Sequence, residues 1–344
     1  MMEEYKILKF EDIFEESKGS IHLLAGNGFS IACDPIFHYD SIYKKAVESG
    51  LSERAQIIFE GLGTNNFEGV MHLLDHSNWV AQVYGLLTAK TSELLRDNEL
   101  IKTALVTVVG QSHPDHTGKI SELKKASALR FLKRFKNIFC TNYDLLQYWV
   151  NMSAGENPPF KDGFRADSED DHLLFSGSVK GQSGLFYLHG ALHLYVASTG
   201  ETLKRCWIRS QKPLTTLIRD GLKKQEYPLF VAEGSATKKL EQIRHNPYLN
   251  YCFNKFGRVE NNLVVFGHSL GDSDAHIRQA IAENTKFHTV YIGLYGDPNN
   301  SENQKIKSAG FQIESIRNEI NKHLKKEAPL TIRFFDSFSA NVWE

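Results

Sequence analysis

The strongest constraint on the fold is a series of short apolar runs. Each breaks off into small or polar residues and is followed by a longer segment. Ile21–Ala25, Asn137–Thr141, Leu185–Leu188, Leu263–Phe266, Val290–Leu294 and Leu330–Phe335 have the length of buried strands, and most are rich in β-branched or aromatic residues. Asp40–Gly50, Thr237–Arg244, Ala275–Asn284 and Ser301–Leu324 read as helices. Strands alternating with helices predict an α/β fold, a mainly parallel sheet with helices on both faces.

Between the first two strands the pattern changes. Apolar residues recur at helical spacing through Arg54–Leu62, Phe67–Leu74, Trp79–Ala89 and Leu123–Phe135, interrupted by the loop Gln111–Gly118. This predicts an all-helical insertion over 51–135, set into a core formed by 1–50 and 136–344. Asn151–Gly181 is polar, with Pro158, Pro159 and the acidic run Asp167–Asp171, and reads as a long surface excursion.

Composition excludes several classes. Lys and Arg number 40 against 41 Asp and Glu, so no global charge points to nucleic acid or to a membrane surface. Met1–Phe10 mixes acids and lysines and has no signal-peptide core. No apolar run approaches the roughly 18 residues of a membrane helix. The expectation is a cytoplasmic protein. Cys33, Cys140, Cys206 and Cys252 are widely spaced and form no C-x-x-C pair, so neither a zinc ribbon nor a disulfide framework is expected.

Four strand ends carry the chemistry. Gly26-Asn27-Gly28-Phe29-Ser30 follows the first strand and precedes a helix-compatible segment. Its glycines let the backbone approach a pyrophosphate, its amides supply donors, and Ser30 adds a hydroxyl. This predicts a Rossmann-like site, although an ordinary strand-to-helix turn explains the same residues. Thr141-Asn142-Tyr143-Asp144 ends the second strand. Asn142 donates and accepts without charge, and Asp144 either binds a ribose hydroxyl or caps the next helix. His189-Gly190 ends the third, where a histidine serves as a base or as a structural hydrogen-bonding group. Gly267-His268-Ser269-Leu270-Gly271 ends the fourth. Gly267 and Ser269 suit the far half of a dinucleotide, and Asp272 or Asp274 suits a helix cap. The same five residues fit the G-x-S-x-G elbow of serine hydrolases, although His189 precedes this serine and the hydrolase order puts the histidine last.

Taken in order, Gly-x-Gly-Phe-Ser, Thr-Asn-Tyr-Asp, His-Gly and Gly-His-Ser-Leu resemble the sirtuin-like superfamily over roughly Ile21–Leu294. The set is similar in particular to bacterial sirtuin-like NAD hydrolases of anti-phage defence. The resemblance implies that Gly26, Asn27, Gly28, Phe29 and Ser30 cradle the NAD phosphates. It implies that Phe37, in Asp34-Pro35-Ile36-Phe37, shields the nicotinamide ribose. Asn142 and Asp144, beside Thr141, would hold the ribose and carboxamide, His189 would be the catalytic histidine, and Gly267 and Ser269 would line the far half. Asn66-Phe67-Glu68 also fits these proteins. The block Tyr227–Ser235 with Lys238–Tyr251 resembles them too, without a chemical role; Glu233 reads as a site neighbour or a turn. Departures are His38 in place of an arginine, Thr141 in place of a glutamine, and no zinc module, which weakens protein deacylation.

The implied function is cleavage of the nicotinamide–ribose bond of NAD+, used as substrate, to nicotinamide and ADP-ribose. The implied setting is defence by NAD depletion. An activity of that kind needs a gate, so a homo-oligomer or an activating partner such as a ring-shaped ATPase is expected, with the helical insertion as the place of contact. Two alternatives stay open at this point: a non-catalytic NAD or ADP-ribose sensor, and an interaction scaffold whose glycines are only turns.

Overall fold

In the computed structural model, which describes residues 6–86, 89–165, 172–177, 179, 181–224, 226–231, 235–325 and 327–344, the apolar runs form one parallel sheet. Its strands are β1 (Ile7–Leu8), β2 (Ile21–Ala25), β3 (Ile138–Cys140), β6 (Leu185–Tyr187), β10 (Asn261–Phe266), β11 (Phe287–Leu294) and β12 (Thr331–Asp336). They lie in the order β1-β12-β11-β10-β2-β3-β6, every neighbour parallel. β2 and β3 are buried at every residue and β10 at all but its first. Strands covered on both faces read as continuous apolar runs for this reason.

From β2 the chain steps outward through β3 to β6, then returns to β10 on the other side of β2 and steps outward through β11 to β12. Apart from the edge strand β1, this is the 3-2-1-4-5-6 order of Rossmann-like folds. The switch point falls between the carboxyl ends of β2 and β10, where such sheets bind their ligands.

A second sheet was not foreseen. It comprises β4 (Phe164–Arg165), β5 (His172–Phe175), β7 (Gly190–Val196), β8 (Thr202–Arg205) and β9 (Pro228–Phe230), in the antiparallel order β4-β5-β8-β7-β9. Two of its strands lie in the segment expected to be a surface excursion, and the structure corrects that reading. The acidic run Asp167–Asp171 lies outside the described residues. The sheets join at Gly190. Its φ of +81° turns the chain directly from β6 into β7, and a Cβ there would stand 2.0 Å from the Leu229 carbonyl oxygen.

Between β2 and β3 run helices Tyr39–Glu48, Glu53–Leu62, Phe67–Val83, Ala89–Ser112 and Glu122–Leu132. Ser52, Asn66 and Ser121 cap the second, third and fifth through their side chains, as those residue types favour. Glu122–Leu132 packs directly on the sheet, with Phe131 5.0 Å from Phe266 between ring centroids. At the far end of the chain, Trp343 packs against Phe29, ring centroids 5.0 Å apart with the planes inclined at 56°, and its indole N–H donates to the Phe29 carbonyl at 2.8 Å. Among the described residues no helix is long and apolar enough to cross a membrane.

Candidate active site

The turns after β2 and β10 cross in backbone contact. The Gly26 amide donates to the Phe266 carbonyl at 2.9 Å and the Gly28 amide to the Gly267 carbonyl at 2.8 Å. A Cβ on Gly28 would lie 2.6 Å from the Gly267 Cα, and Gly267 itself has φ +64°. Only glycine permits this approach. Above the crossing lies a cavity of about 490 Å³, inside the range of roughly 300–1,000 Å³ typical of small-molecule sites.

The crossing revises the expected phosphate cradle. The Gly28, Phe29 and Ser30 amides already donate to the carbonyls of Gly267, Gly26 and Asn27. Of residues 26–30 only Asn27 and Gly28 line the cavity. Phe29 is fully buried against Trp343 and Phe131. Gly26 shapes the turn and does not line the cavity. Ser30 is also fully buried and serves the β3 end instead.

There Ser30 Oγ donates to Asp144 Oδ2 at 2.5 Å and accepts from Asn142 Nδ2 at 2.8 Å. Asp144 Oδ1 accepts the Leu146 amide at 2.8 Å, at the start of helix Leu146–Met152. The same residue therefore lines the cavity and starts the helix. Burial pushes the Asp144 carboxyl up, opposed by the hydrogen bonds from Ser30 and Leu146. Because Nδ2 faces Ser30, the remaining Asn142 atom is an acceptor: Oδ1 is buried and has no partner. Asn142, Tyr143 and Asp144 line the cavity with Thr141, whose amide and hydroxyl both donate to the Ala25 carbonyl. Phe37 forms another wall, buried at 4% exposure, its carbonyl accepting from Asn27 Nδ2 at 3.0 Å.

His113, in the loop that interrupts the helical segment, reaches this region. Its Nε2 accepts the Leu145 amide at 3.0 Å, and its ring stands edge-on to Phe37 and Trp149. Burial pushes its pKa down to about 4.

His189 also lines the cavity, its carbonyl tied to the Val231 amide at 2.8 Å. Its Nε2 lies 2.9 Å from His276 Nε2 and 4.0 Å from Asp274 Oδ1. Asp274 Oδ1 is 3.0 Å from the ammonium of Lys239, which is fully buried, and Oδ2 is 3.6 Å from His268 Nε2. Burial holds the His189 pKa well below its ordinary value and pushes that of His276 down to about 4. Burial alone would raise the Asp274 carboxyl, but Lys239 and the three histidines hold it well below the usual carboxylate range.

Gly267 and Ser269, at the β10 end, line the cavity. The serine-nucleophile alternative finds no geometry. Ser269 is exposed and no described histidine bonds it: His268 accepts the Leu270 amide through Nδ1 and turns Nε2 to Asp274. The left-handed residues of the turn are Gly267 and Leu270, at φ +64° and 54°, whereas a nucleophile elbow would strain the serine.

Sequence reading missed Asp274, His276, His268 and Lys239 as one cluster. Asp274 was legible only as a helix cap, and Lys239 sat in a block without a role. Asn66 lines the cavity, as do Tyr295, Asn300 and Glu302 beyond β11. Glu233 and the Glu68 side chain lie outside what the structure describes.

Fold and site together define a Rossmann-like α/β protein with a cavity at its switch point, apolar over most of its lining and carrying a few polar groups. The chain belongs to the family described as Domain of unknown function (DUF4917), which it matches over residues 23–343. No curated protein matches the chain.

Proposed function

We propose that the protein binds NAD+ in this cavity and hydrolyses its nicotinamide–ribose bond, releasing nicotinamide and ADP-ribose. The observation that carries this reading is the convergence of Asn142, Asp144 and His189, from two strand ends, on one switch-point cavity where Asn142 Oδ1 has no partner. The resemblance to sirtuin-like NAD hydrolases rests on the same residues.

In this reading Asn142 Oδ1 accepts from the carboxamide, a ribose hydroxyl or the attacking water. Asp144 is held in place by Ser30 and Leu146 and orients the ribose side. His189 takes the hydroxyl proton. Phe37, Ile31 and Ile42 close an apolar side that excludes bulk water. Departure of nicotinamide leaves an oxocarbenium-like sugar, and fixed dipoles in a dry site stabilise such charge better than water does. No zinc and no further cofactor enter the scheme.

The setting proposed is cytoplasmic, in anti-phage defence by NAD depletion, with the chain acting as a homo-oligomer or beside an activating protein such as a ring-shaped ATPase. Exposed Trp79, Val83 and Tyr84, at the end of helix Phe67–Val83, support assembly through the helical segment.

Turnover of NAD+ by the purified chain, with products resolved by chromatography, tests the reading beside Asn142→Ala and His189→Ala. Nicotinamide and ADP-ribose are expected from the wild type, with losses of at least about 100-fold in both variants. Binding without turnover would favour a sensor. No turnover and no ligand-induced rise in melting temperature would sink the NAD reading.

A further inference from the structure

Around His189 lies a cluster of ionisable side chains, of which His268 and Asp274 also line the cavity whereas His276 and Lys239 do not. His276 and Asp274 come from the start of helix Ala275–Glu283, Lys239 from helix Ala236–His245, and His268 from the β10 turn. We propose that His276 is a positioning residue that shares the proton His189 takes from its ligand. The two rings then act as one proton-accepting pair beside the Asp274 carboxylate. This deepens the NAD reading, on which only its kinetic test rests.

Two Nε2 atoms 2.9 Å apart need one proton between them. With the His189 Nε2 engaged, Nδ1 is the nitrogen left to meet a ligand. A hydroxyl at Nδ1 loses its proton to that nitrogen, the O–H bond breaking as the N–H forms. A full charge on His189, which is buried, would be strongly opposed by desolvation. Passing the Nε2 proton to His276 Nε2 moves that charge one ring further. His276 then carries the positive charge of the transferred proton while the hydroxyl oxygen keeps the O–H electron pair and is left negative, and the shift reverses when the oxygen is reprotonated. For His276 Nε2 to accept, the neutral ring carries its own proton on Nδ1, which is buried and has no partner. Donor atoms of His189, His276 and Asp274 lie within 4.8 Å of one another, so the carboxylate attracts a proton on either ring although Lys239 also pairs with it.

Those three side chains could also hold a metal ion. Lys239 decides against it. Its ammonium is 3.0 Å from Asp274 Oδ1, and with neutral histidines the two charges cancel. A divalent ion would add two uncompensated charges to a buried site, whereas a proton adds one. His268 does not compete for that proton: its Nδ1 accepts the Leu270 amide and its Nε2 faces Asp274.

The test compares the wild-type chain with His276→Gln, whose amide keeps one hydrogen bond but cannot carry the proton. Histidine ¹⁵N resonances are followed by NMR against pH and against added Zn²⁺. In the wild type, the His189 and His276 signals are expected to move together and to ignore zinc. In His276→Gln, the His189 titration should fall by at least about one pH unit while the melting temperature stays close to wild type. With NAD+ as substrate, kcat should drop at least about 30-fold, with its acidic limb displaced and KM little changed. Independent titration of the two rings, an unmoved His189 in the variant, or stoichiometric zinc binding at these rings would overturn the proposal. The NMR arm decides it even if NAD+ is not cleaved.

Discussion

Asn142 and Ser30 share a 2.8 Å hydrogen bond in which the amide donates, and this leaves Oδ1 as the free atom at the cavity wall. The direction follows from Asp144, which takes the hydroxyl proton of the same serine. One buried serine thus sets the orientation of two site residues without lining the cavity itself. Ser30→Ala should cost about 1–3 kcal/mol, because it leaves a buried amide and a buried carboxylate without their partner. Urea unfolding measures this. Ligand affinity should fall as well, since Asn142 is released to rotate. A variant as stable as wild type with unchanged affinity would show that Ser30 orients nothing.

Lys239 is fully buried with Asp274, and removing one partner of such a pair is worse than removing both. Lys239→Met should destabilise by roughly 3–5 kcal/mol. Adding Asp274→Asn should recover most of that loss in thermal melts. Additive losses in the double variant would mean that the two side chains act separately.

His113 supplies a pH dependence. It is buried, neutral and bonded through Nε2 to the Leu145 amide, with its pKa pushed down to about 4 from an ordinary 6.5. Below pH 6.5 the unfolded chain binds a proton here that the folded chain refuses, so stability falls as pH drops from 6.5 towards 4. The full difference corresponds to roughly 3 kcal/mol. His113→Gln keeps an acceptor and does not titrate. Its unfolding free energy should fall less steeply between pH 6.5 and 4.5 than that of the wild type, and identical slopes would rule out this account.

Among the described residues no lysine or arginine lines the cavity, while Glu302 does, near the N-terminus of helix Ser301–Leu324. On the NAD reading, the extra phosphate of NADP+ would meet no lining cation and a carboxylate whose charge Lys305 offsets only in part, from 2.7 Å. NAD+ should be preferred over NADP+ by at least about tenfold in kcat/KM, one unit charge in a partly screened site being enough for that ratio. Glu302→Lys should narrow the preference, and competition assays with both dinucleotides would read it.

The parallel sheet was legible because both its faces are covered, so β2 and β10 are nearly unbroken apolar runs. The antiparallel sheet was not. Its strand Thr202–Arg205 is buried throughout yet ends in Lys204 and Arg205. Asp162 and Glu226 neutralise those two, and Tyr148, Phe164 and Tyr195 cover their charged ends. All of those partners are distant in sequence or on another strand, and no local pattern announces them. The site divides in the same way. Asn142, Asp144 and His189 stand out as polar residues ending apolar strands. Asp274 opens a helix, where an aspartate is ordinarily a cap, and a helical lysine is ordinarily solvated. Only the packing of helix Ala236–His245 against the turn after β10 makes Lys239 and Asp274 partners.

Trp343 holds the turn that carries Phe29 and Ser30 through its bond to the Phe29 carbonyl. The central strand β2 is also flanked by β10, which lies more than two hundred residues later in the chain. During synthesis the ribosome therefore emits the glycine turn long before either of its supports. Until residue 343 has cleared the exit tunnel, the turn on a nascent chain lacks the indole bond that ties down the Phe29 carbonyl.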